Sequence, residues 1–141
     1  MGVREKQLQL IARYEVLPGP QERLNAFIDG SSKSAALTEE EKIDQNRIHG
    51  CQSRVYVVGR IEKGVCRFRF DSDSLLVKGL VFLICNEYDG GTPEEVIQIE
   101  PETLSKLGVW QIISSTRQNG LAHVRLFIRE WAENVLGQRK A

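Results

Sequence analysis

Cys51 is the residue in this sequence with the clearest chemical potential, because it lies in a polar loop that runs directly into an apolar strand. Its neighbours in the loop are His49, Gly50, Gln52 and Ser53. Gly50 has no Cβ, so it permits a sharp turn that leaves the next side chain free to project. A thiol presented there is a nucleophile, whereas a thiol turned inward is a small half-buried hydrophobe, as free cysteines commonly are. The loop by itself leaves both interpretations open.

The segment after the loop predicts a β-hairpin. Residues 53–61 and 65–70 are rich in β-branched and aromatic side chains, and the glycine of Glu62-Lys63-Gly64 suits a turn between them. Strand alternation puts Cys66 on the same face as two phenylalanines, so we expect its side chain in the core. The opposite face carries arginines, which form either a basic binding surface or a solvated face that protects a sheet edge. These arginines are Arg54, Arg60, Arg67 and Arg69.

Helical patterns fill most of the remaining chain. Apolar spacing, capping signals and Pro-Gly breaks predict helices at residues 4–16, 20–28, 75–85, 93–99 and 101–107, and a last helix after a Ser-x-x-Gln box at Ser115-Thr116-Arg117-Gln118. One or two further turns are expected after a capping box at residues 38–41. The segment 75–85 is apolar nearly all round, which is typical of a buried central helix, so Cys85 within it should be unreactive. Residues 137–141 are predicted to form a frayed tail.

The order of these elements predicts an α+β fold, in which a small antiparallel sheet of two or three strands packs against several helices. A length of 141 residues fits one domain, 1–141, with a core from about residue 8 to residue 136 and short flexible termini. The 19 basic residues balance 19 acidic ones, which argues against a nucleic-acid partner. Because no apolar run reaches the ~18 residues of a membrane span and no secretory signal is visible, we expect a cytoplasmic protein without a membrane partner.

The number and spacing of the cysteines bear on cofactors. Cys51, Cys66 and Cys85 are odd in number and widely spaced, which argues against a disulfide framework and lacks the close pairs typical of zinc sites. We therefore expect three separate thiols, no metal and no cofactor. The sequence also lacks a Gly-rich phosphate loop and a Ser-His-Asp order, and has two histidines, so an independent enzyme is not expected.

A series of motifs connects the loop to a known family. In order along the chain they are Gly50-Cys51-Gln52-Ser53, Asp71-Ser72-Asp73, Lys78-Gly79-Leu80, Tyr88, Thr92-Pro93-Glu94-Glu95, Leu107-Gly108, Ser114, Arg117 and Asn119-Gly120-Leu121. Together they span about residues 10 to 135, and in order and spacing they resemble the SufE family of cysteine desulfuration proteins. One position departs from the pattern, because Ser115 stands where the family usually has a proline, which puts the rigidity of that turn in question.

The resemblance implies both a fold and a function. The fold would be the one that SufE shares with iron–sulfur scaffold proteins of the IscU type. The function would be to accept persulfide sulfur from a SufS-type cysteine desulfurase onto Cys51, to stimulate that desulfurase, and to pass the sulfur on to a downstream scaffold for iron–sulfur cluster assembly. This chain would carry no cofactor, and the pyridoxal phosphate would belong to the desulfurase. Formation of a homodimer is left open.

The resemblance also assigns roles to other residues. Arg117 falls where the family places a functional arginine, and it would stabilise an anionic sulfur on Cys51, or else bridge Asp71 or Asp73 at the edge of the core. Gly50 would be a hinge that lets the loop swing out of an apolar cavity on docking. The remaining candidates for the loop and the docking surface are His49, Gln52, Ser53 and Asp73, of which His49 matches no fixed family position and Asp73 also suits a helix cap.

Two other functions stay open at this point. The chain could be a regulator that docks on a desulfurase and alters its turnover without carrying sulfur. It could also be an iron–sulfur scaffold, which would require several cysteines to converge on one cluster. The sequence does not separate a housekeeping SufE role from that of a paralogue in another sulfur pathway.

Overall fold

The computed structural model describes residues 1–34 and 36–140 of the chain. The helices are α1 (Val3–Glu15), α2 (Pro20–Ser32), α3 (Leu75–Tyr88), α4 (Pro93–Gln98), α5 (Thr103–Lys106) and α6 (Ser115–Lys140), and the strands are β1 (Val55–Glu62) and β2 (Val65–Ser72). Two short 3₁₀ helices lie at Asp44–Asn46 and Trp110–Ile112. Within the described residues the sheet has two strands, so the predicted α+β architecture is confirmed.

The two strands form the predicted hairpin. They pair antiparallel, with Val55 opposite Ser72 and Glu62 opposite Val65. The two-residue turn between them has positive φ at Lys63 (53°) and Gly64 (82°), the combination that matches the right-handed twist of a tight hairpin. On the inner face Cys66 is fully buried, as its position in the alternation predicts.

Helix α3 is the centre of the core. Ser74 caps its first turn by accepting a hydrogen bond from the Val77 N–H at 3.3 Å. Leu80, Val81 and Leu83 are fully buried on the helix. Gly79 allows α2 to approach closely, because a Cβ at that position would lie 3.0 Å from the backbone nitrogen of Ile28. The sheet, α1, α2 and α6 are therefore arranged around one apolar helix.

Several local signals are confirmed as predicted. Pro20 is the first residue of α2. Thr92 and Glu95 form a complete capping box at the start of α4. Gly108, with φ of 76°, follows α5 in the left-handed conformation. Each of these signals depends on neighbours within one helical turn, and this explains why the sequence predicts them well.

The capping box at residues 38–41 has a different outcome. Thr38 and Glu41 exchange hydrogen bonds as expected, but they close a turn and no α-helix follows. The Glu41 carboxylate also binds Arg69 on β2 at 2.6 Å, and Lys42 lies 3.4 Å from the Asp71 carboxylate. These ion pairs hold the segment against the sheet, and the predicted helical turns are replaced by the 3₁₀ helix Asp44–Asn46.

Three of the four arginines predicted on this face of the sheet are paired with acidic side chains. Arg67 pairs with Asp89 at 2.9 Å, and Arg60 pairs with Glu62 at 2.8 Å. Arg69 is bound to Glu41 as described. The solvated-face interpretation is therefore favoured over a basic binding surface.

Both ends of the chain differ from the predicted limits, the first in its packing and the last in its helix. Val3 is buried, and its N–H donates to the Glu95 carboxylate at 3.2 Å, so packing begins before residue 8. At the other end α6 continues as helix through residues 137–140, where the sequence predicts a frayed tail. Ala141 lies outside the described residues. No helix in the described ranges is both long enough and apolar enough to cross a membrane.

Candidate functional site

The Cys51 loop, residues 49–54, has a firmly held base. The Ile48 N–H donates to the Val55 carbonyl at 2.8 Å, which closes the loop where β1 begins, and both side chains are buried. The Arg54 N–H donates to the Asp73 carboxylate at 2.9 Å, and the Asp73 N–H donates to the Arg54 carbonyl at 3.2 Å. The structure therefore places Asp73, a predicted docking residue, at the base of the loop, where it fixes the strand that follows.

The tip of the loop turns toward α6. Gly50 has φ of 94°, the left-handed region that favours glycine, so the turn predicted before the cysteine is present. The Cys51 thiol donates to the Gly120 carbonyl of α6 at 3.3 Å. Cys51 is half-buried, with its thiol turned toward α6 and not projecting into solvent.

Cys51 borders a cavity of about 240 Å³ between the loop, α3 and α6. The apolar wall comes from the two helices and consists of Val77, Leu80, Leu121 and Val124. The polar side carries hydroxyls and one guanidinium from the first turn of α6 and just before it, namely Ser114, Thr116 and Arg117. Gln52 and Ser53 line the cavity from the loop itself. The thiol therefore faces a space with apolar walls and one cationic side chain.

The electrostatics of the thiol differ from the expectation of an activated cysteine. Burial raises the pKa of Cys51, because the thiolate would be poorly solvated in this position. The thiol is therefore protonated in this conformation at neutral pH. Arg117 lines the same cavity but is exposed to solvent, and desolvation of the sulfur outweighs any stabilisation of the anion. A position of the sulfur in closer contact with water would lower this pKa.

The alternative role of Arg117, as a bridge to an aspartate, finds no support in the contacts of the two aspartates. The Asp71 carboxylate is bound by Lys42 and Lys78, each at 3.4 Å. Asp73 accepts the backbone N–H of Arg54. The Arg117 backbone N–H donates to the Ser114 hydroxyl at 3.2 Å, so Ser114 caps α6 and the predicted box beginning at Ser115 does not form. This places the Arg117 side chain in the first turn of α6, at the cavity.

The other loop candidates have simpler surroundings. The exposed His49 ring lies 3.5 Å from the Asp44 carboxylate, so it contacts its own segment and does not line the cavity. Gln52 is exposed and Ser53 is partly exposed. Both line the cavity and are also accessible to solvent at its rim.

The remaining cysteines are inside the core. Cys66 on β2 and Cys85 on α3 have at most 1% of their surface exposed. Burial raises the pKa of the Cys85 thiol, and the nearby charge of Asp89 adds to the shift. In residues 1–34 and 36–140 no three His, Cys, Asp or Glu side chains are grouped so that they could hold a metal ion.

Sequence reasoning missed part of the site. Gly120 belongs to a recognised motif, yet its role as the acceptor for the Cys51 thiol was not predicted. A glycine inside an otherwise regular helical stripe is the signal that could have indicated close approach of another segment. The cavity walls on α3 and α6 were predicted only as core, because their contact depends on how distant helices pack.

Sequence comparisons connect the chain to one protein family and to several relatives. Residues 8–132 match the SufE family, described as an Fe-S metabolism associated domain. An uncharacterized SufE-like protein of Rhizobium etli is 32% identical over 130 residues, which cover 89% of this chain and 88% of that protein. The cysteine desulfuration protein SufE of Plasmodium falciparum is 29% identical over 109 residues, which cover 74% of this chain and 44% of that longer protein.

A structural comparison gives the same architecture. The solution structure of a hypothetical protein from Thermus thermophilus superposes with a TM-score of 0.77, covering 94% of this chain and 96% of that one. Its sequence identity is 22%, so this likeness concerns the fold alone. Because the family match extends over residues 8–132, from α1 into the second half of α6, the chain belongs to the SufE family.

Proposed function

We propose that this chain accepts sulfur from a SufS-type cysteine desulfurase on Cys51, stimulates that enzyme, and delivers the sulfur to a downstream scaffold for iron–sulfur cluster assembly. The observation that supports this most strongly is the contrast among the three cysteines. Cys51 is partly exposed and borders a cavity of about 240 Å³, whereas Cys66 and Cys85 are buried in the core. Membership of a family associated with Fe-S metabolism agrees with such a role.

The transfer step needs no oxidant or metal. The Cys51 thiolate attacks the terminal sulfur of a persulfide on the desulfurase, and a new S–S bond forms between Cys51 and that sulfur. The S–S bond of the donor breaks, and its electron pair leaves with the donor cysteine as thiolate. The reaction parallels thiol–disulfide exchange, so its rate depends on the thiolate fraction and on access to the attacking sulfur.

The resting structure suppresses this reaction until a partner is present. The Cys51 thiol donates to the Gly120 carbonyl, and burial raises its pKa, so little thiolate forms. A desulfurase that draws the loop outward would remove both restraints. Arg117, which lines the same cavity and is exposed, is the side chain best placed to stabilise the anionic sulfur.

The cavity would also protect the product. One water molecule takes up about 30 Å³ in the liquid, and the cavity of about 240 Å³ is several times larger. It therefore has room for one additional sulfur atom on Cys51. The walls formed by Val77, Leu80 and Val124 would shield one side of the terminal sulfur from reductants and water. A persulfide returned to this position would survive transfer between partners.

A kinetic experiment separates a sulfur carrier from a regulator that only docks. The turnover of a purified SufS-type desulfurase with cysteine is measured alone, with this protein, and with the Cys51→Ser variant. We expect the unmodified protein to stimulate turnover, to gain one sulfur atom by intact mass, and to lose both properties in the variant. Full stimulation by Cys51→Ser would show instead that the protein acts as a regulator.

A further inference from the structure

The tip of the Cys51 loop is in contact with His123 of α6, and no motif of the sequence indicates this contact. Gly120 and His123 are three residues apart on α6, so they lie on the same face of the helix. Gly120 accepts the thiol hydrogen of Cys51. The His123 ring packs directly on Gly50, because a Cβ at residue 50 would lie 2.6 Å from its Cδ2 atom and 2.7 Å from its Nε2 atom.

The base and the tip of the loop are held by different parts of the molecule. The base is fixed to the sheet side through Ile48, Val55 and Asp73. The tip rests against α6 at Gly50 and Cys51. The loop can therefore pivot about a fixed base if the contact with α6 is broken.

From this arrangement we infer that His123 is a positioning residue, which holds the Cys51 loop against α6 and sets how readily the thiol becomes accessible. The inference rests on the proposed role of Cys51 as sulfur acceptor. His123 touches Gly50 and acts on the thiol through the loop backbone. The hydrogen bond from a thiol is weak, so the ring contact contributes a substantial part of the restraint on the tip.

Two features of the structure require glycine at residue 50. The φ angle of Gly50 is 94°, which is unfavourable for residues with a side chain, and a Cβ atom at this position would collide with the His123 ring. A larger residue at position 50 would therefore push the tip away from α6. The same geometry predicts that removal of the ring leaves the tip without its flat contact surface.

The test measures access to Cys51 in the folded protein without any desulfurase. The rate of iodoacetamide alkylation at the Cys51 peptide is followed by mass spectrometry for the unmodified protein and for His123→Ala, His123→Ser and His123→Phe. We expect alkylation about tenfold faster in His123→Ala and His123→Ser, since local opening controls access. His123→Phe retains an aromatic ring on Gly50 and should restore a rate near that of the unmodified protein.

A matched control lies one turn further along the helix. A surface groove lies between α6 and residues 44–49, and both His123 and the exposed Leu126 line it. Leu126→Ala therefore removes a side chain of similar size from the same part of α6. We expect no change in the alkylation rate of this variant. Equal rates in His123→Ala and the unmodified protein, or equal acceleration by Leu126→Ala, would overturn the inference.

The pH dependence of alkylation provides a readout that general destabilisation would not reproduce. Burial raises the pKa of Cys51 at rest, so the apparent pKa from the pH–rate profile should fall toward the ordinary cysteine range in His123→Ala. His123→Phe removes the imidazole nitrogens but keeps an aromatic ring, and its profile should match that of the unmodified protein. The ionisable side chains that line the groove beside His123 are Asp44, Arg47, His49 and Glu130, and they are unchanged in every variant. An unaltered profile in His123→Ala would contradict the inference.

The outcome is independent of whether sulfur transfer occurs. Alkylation reports the position of the loop, whereas the desulfurase assay reports the function of the thiol. Accelerated alkylation without sulfur uptake would reject the acceptor role and retain the loop contact. Sulfur uptake together with unchanged alkylation in His123→Ala would retain the acceptor role and reject the role of His123.

Discussion

Cys51 and Cys85 are both thiols whose pKa is raised by burial, but their backbones are held in different ways. Cys85 lies inside α3, where the helix hydrogen bonds and surrounding core fix it on all sides. Cys51 lies at the tip of a six-residue loop, 49–54, whose base is fixed and whose tip rests on α6. Burial raises both pKa values, so the direction of the shift does not separate the two cysteines. They are separated by how the backbone is held, within a core helix for Cys85 and at the tip of a loop for Cys51.

The largest effect that follows from this comparison is a difference in protection. In the folded protein we expect iodoacetamide to label Cys51. The labelling rates of Cys66 and Cys85 should be at least ~10³-fold lower than in the unfolded chain, because these thiols react only when a domain stable by about 5 kcal/mol or more opens extensively. Peptide mass spectrometry over time measures all three rates. The same chain in denaturant is the control, in which the three cysteines should react alike. Similar rates for Cys51 and Cys85 in the folded protein would remove the distinction.

A second comparison replaces each thiol by a hydroxyl. Cys85→Ser buries a hydroxyl at a site with 1% exposure, so we expect a loss of about 1–3 kcal/mol in the free energy of unfolding. Residue 51 is only half-buried, so Cys51→Ser should lower the free energy of unfolding by less, about 0.5 kcal/mol. Denaturant unfolding of the two variants measures the difference. A greater loss of stability in Cys51→Ser would mean that Cys51 is a structural residue.

Arg117 sharpens the account of how Cys51 becomes reactive. Arg117→Ala removes the cationic side chain that lines the cavity, and we expect about tenfold slower sulfur uptake at unchanged stability, since an anionic sulfur loses a charge-assisted contact. Arg129→Ala is the matched control, because Arg129 is on the same helix but pairs with Glu133. Rapid-quench measurement of the persulfidated fraction gives the rates. Uptake at the normal rate by folded Arg117→Ala would exclude this residue from the mechanism.

The smallest effect concerns the base of the loop. Asp73→Ala removes the acceptor for the Arg54 N–H, and we expect a loss of about 1 kcal/mol in stability together with moderately faster alkylation of Cys51. Asp73→Asn keeps an oxygen acceptor at this position and should behave nearly as the unmodified protein. Thermal unfolding and the alkylation rate together measure the effect. Identical behaviour of the Ala and Asn variants would show that the Asp73 hydrogen bond does not hold the loop.

The features predicted well from the sequence depend on neighbours in the chain. The hairpin turn at Lys63-Gly64, the burial of α3 and the capping box at Thr92 all follow from local chemistry, and the structure contains each of them. The start of α6 was displaced by one residue, because Ser114 and Ser115 are both able to cap a helix and the sequence does not choose between them. The turn at Thr38 lost its expected helix to ion pairs formed across the fold.

The candidate site was predicted only in part for the same reason. Cys51 and the turn at Gly50 are visible in one short stretch of sequence. The cavity is not, since Leu80 on α3 and Val124 on α6 meet the loop only after the helices have packed. The His123 contact also depends on packing over a separation of 73 residues from Gly50, and no local pattern indicates it.

The most direct test of the account identifies which cysteine receives sulfur. The protein is incubated with a purified SufS-type desulfurase and cysteine, its thiols and persulfides are blocked with iodoacetamide, and the peptides containing Cys51, Cys66 and Cys85 are analysed by mass spectrometry. If Cys51 is the sulfur acceptor, the Cys51 peptide gains one sulfur atom and the other two peptides gain none. Sulfur on Cys66 or Cys85, or none on Cys51 while the desulfurase is accelerated, would contradict it.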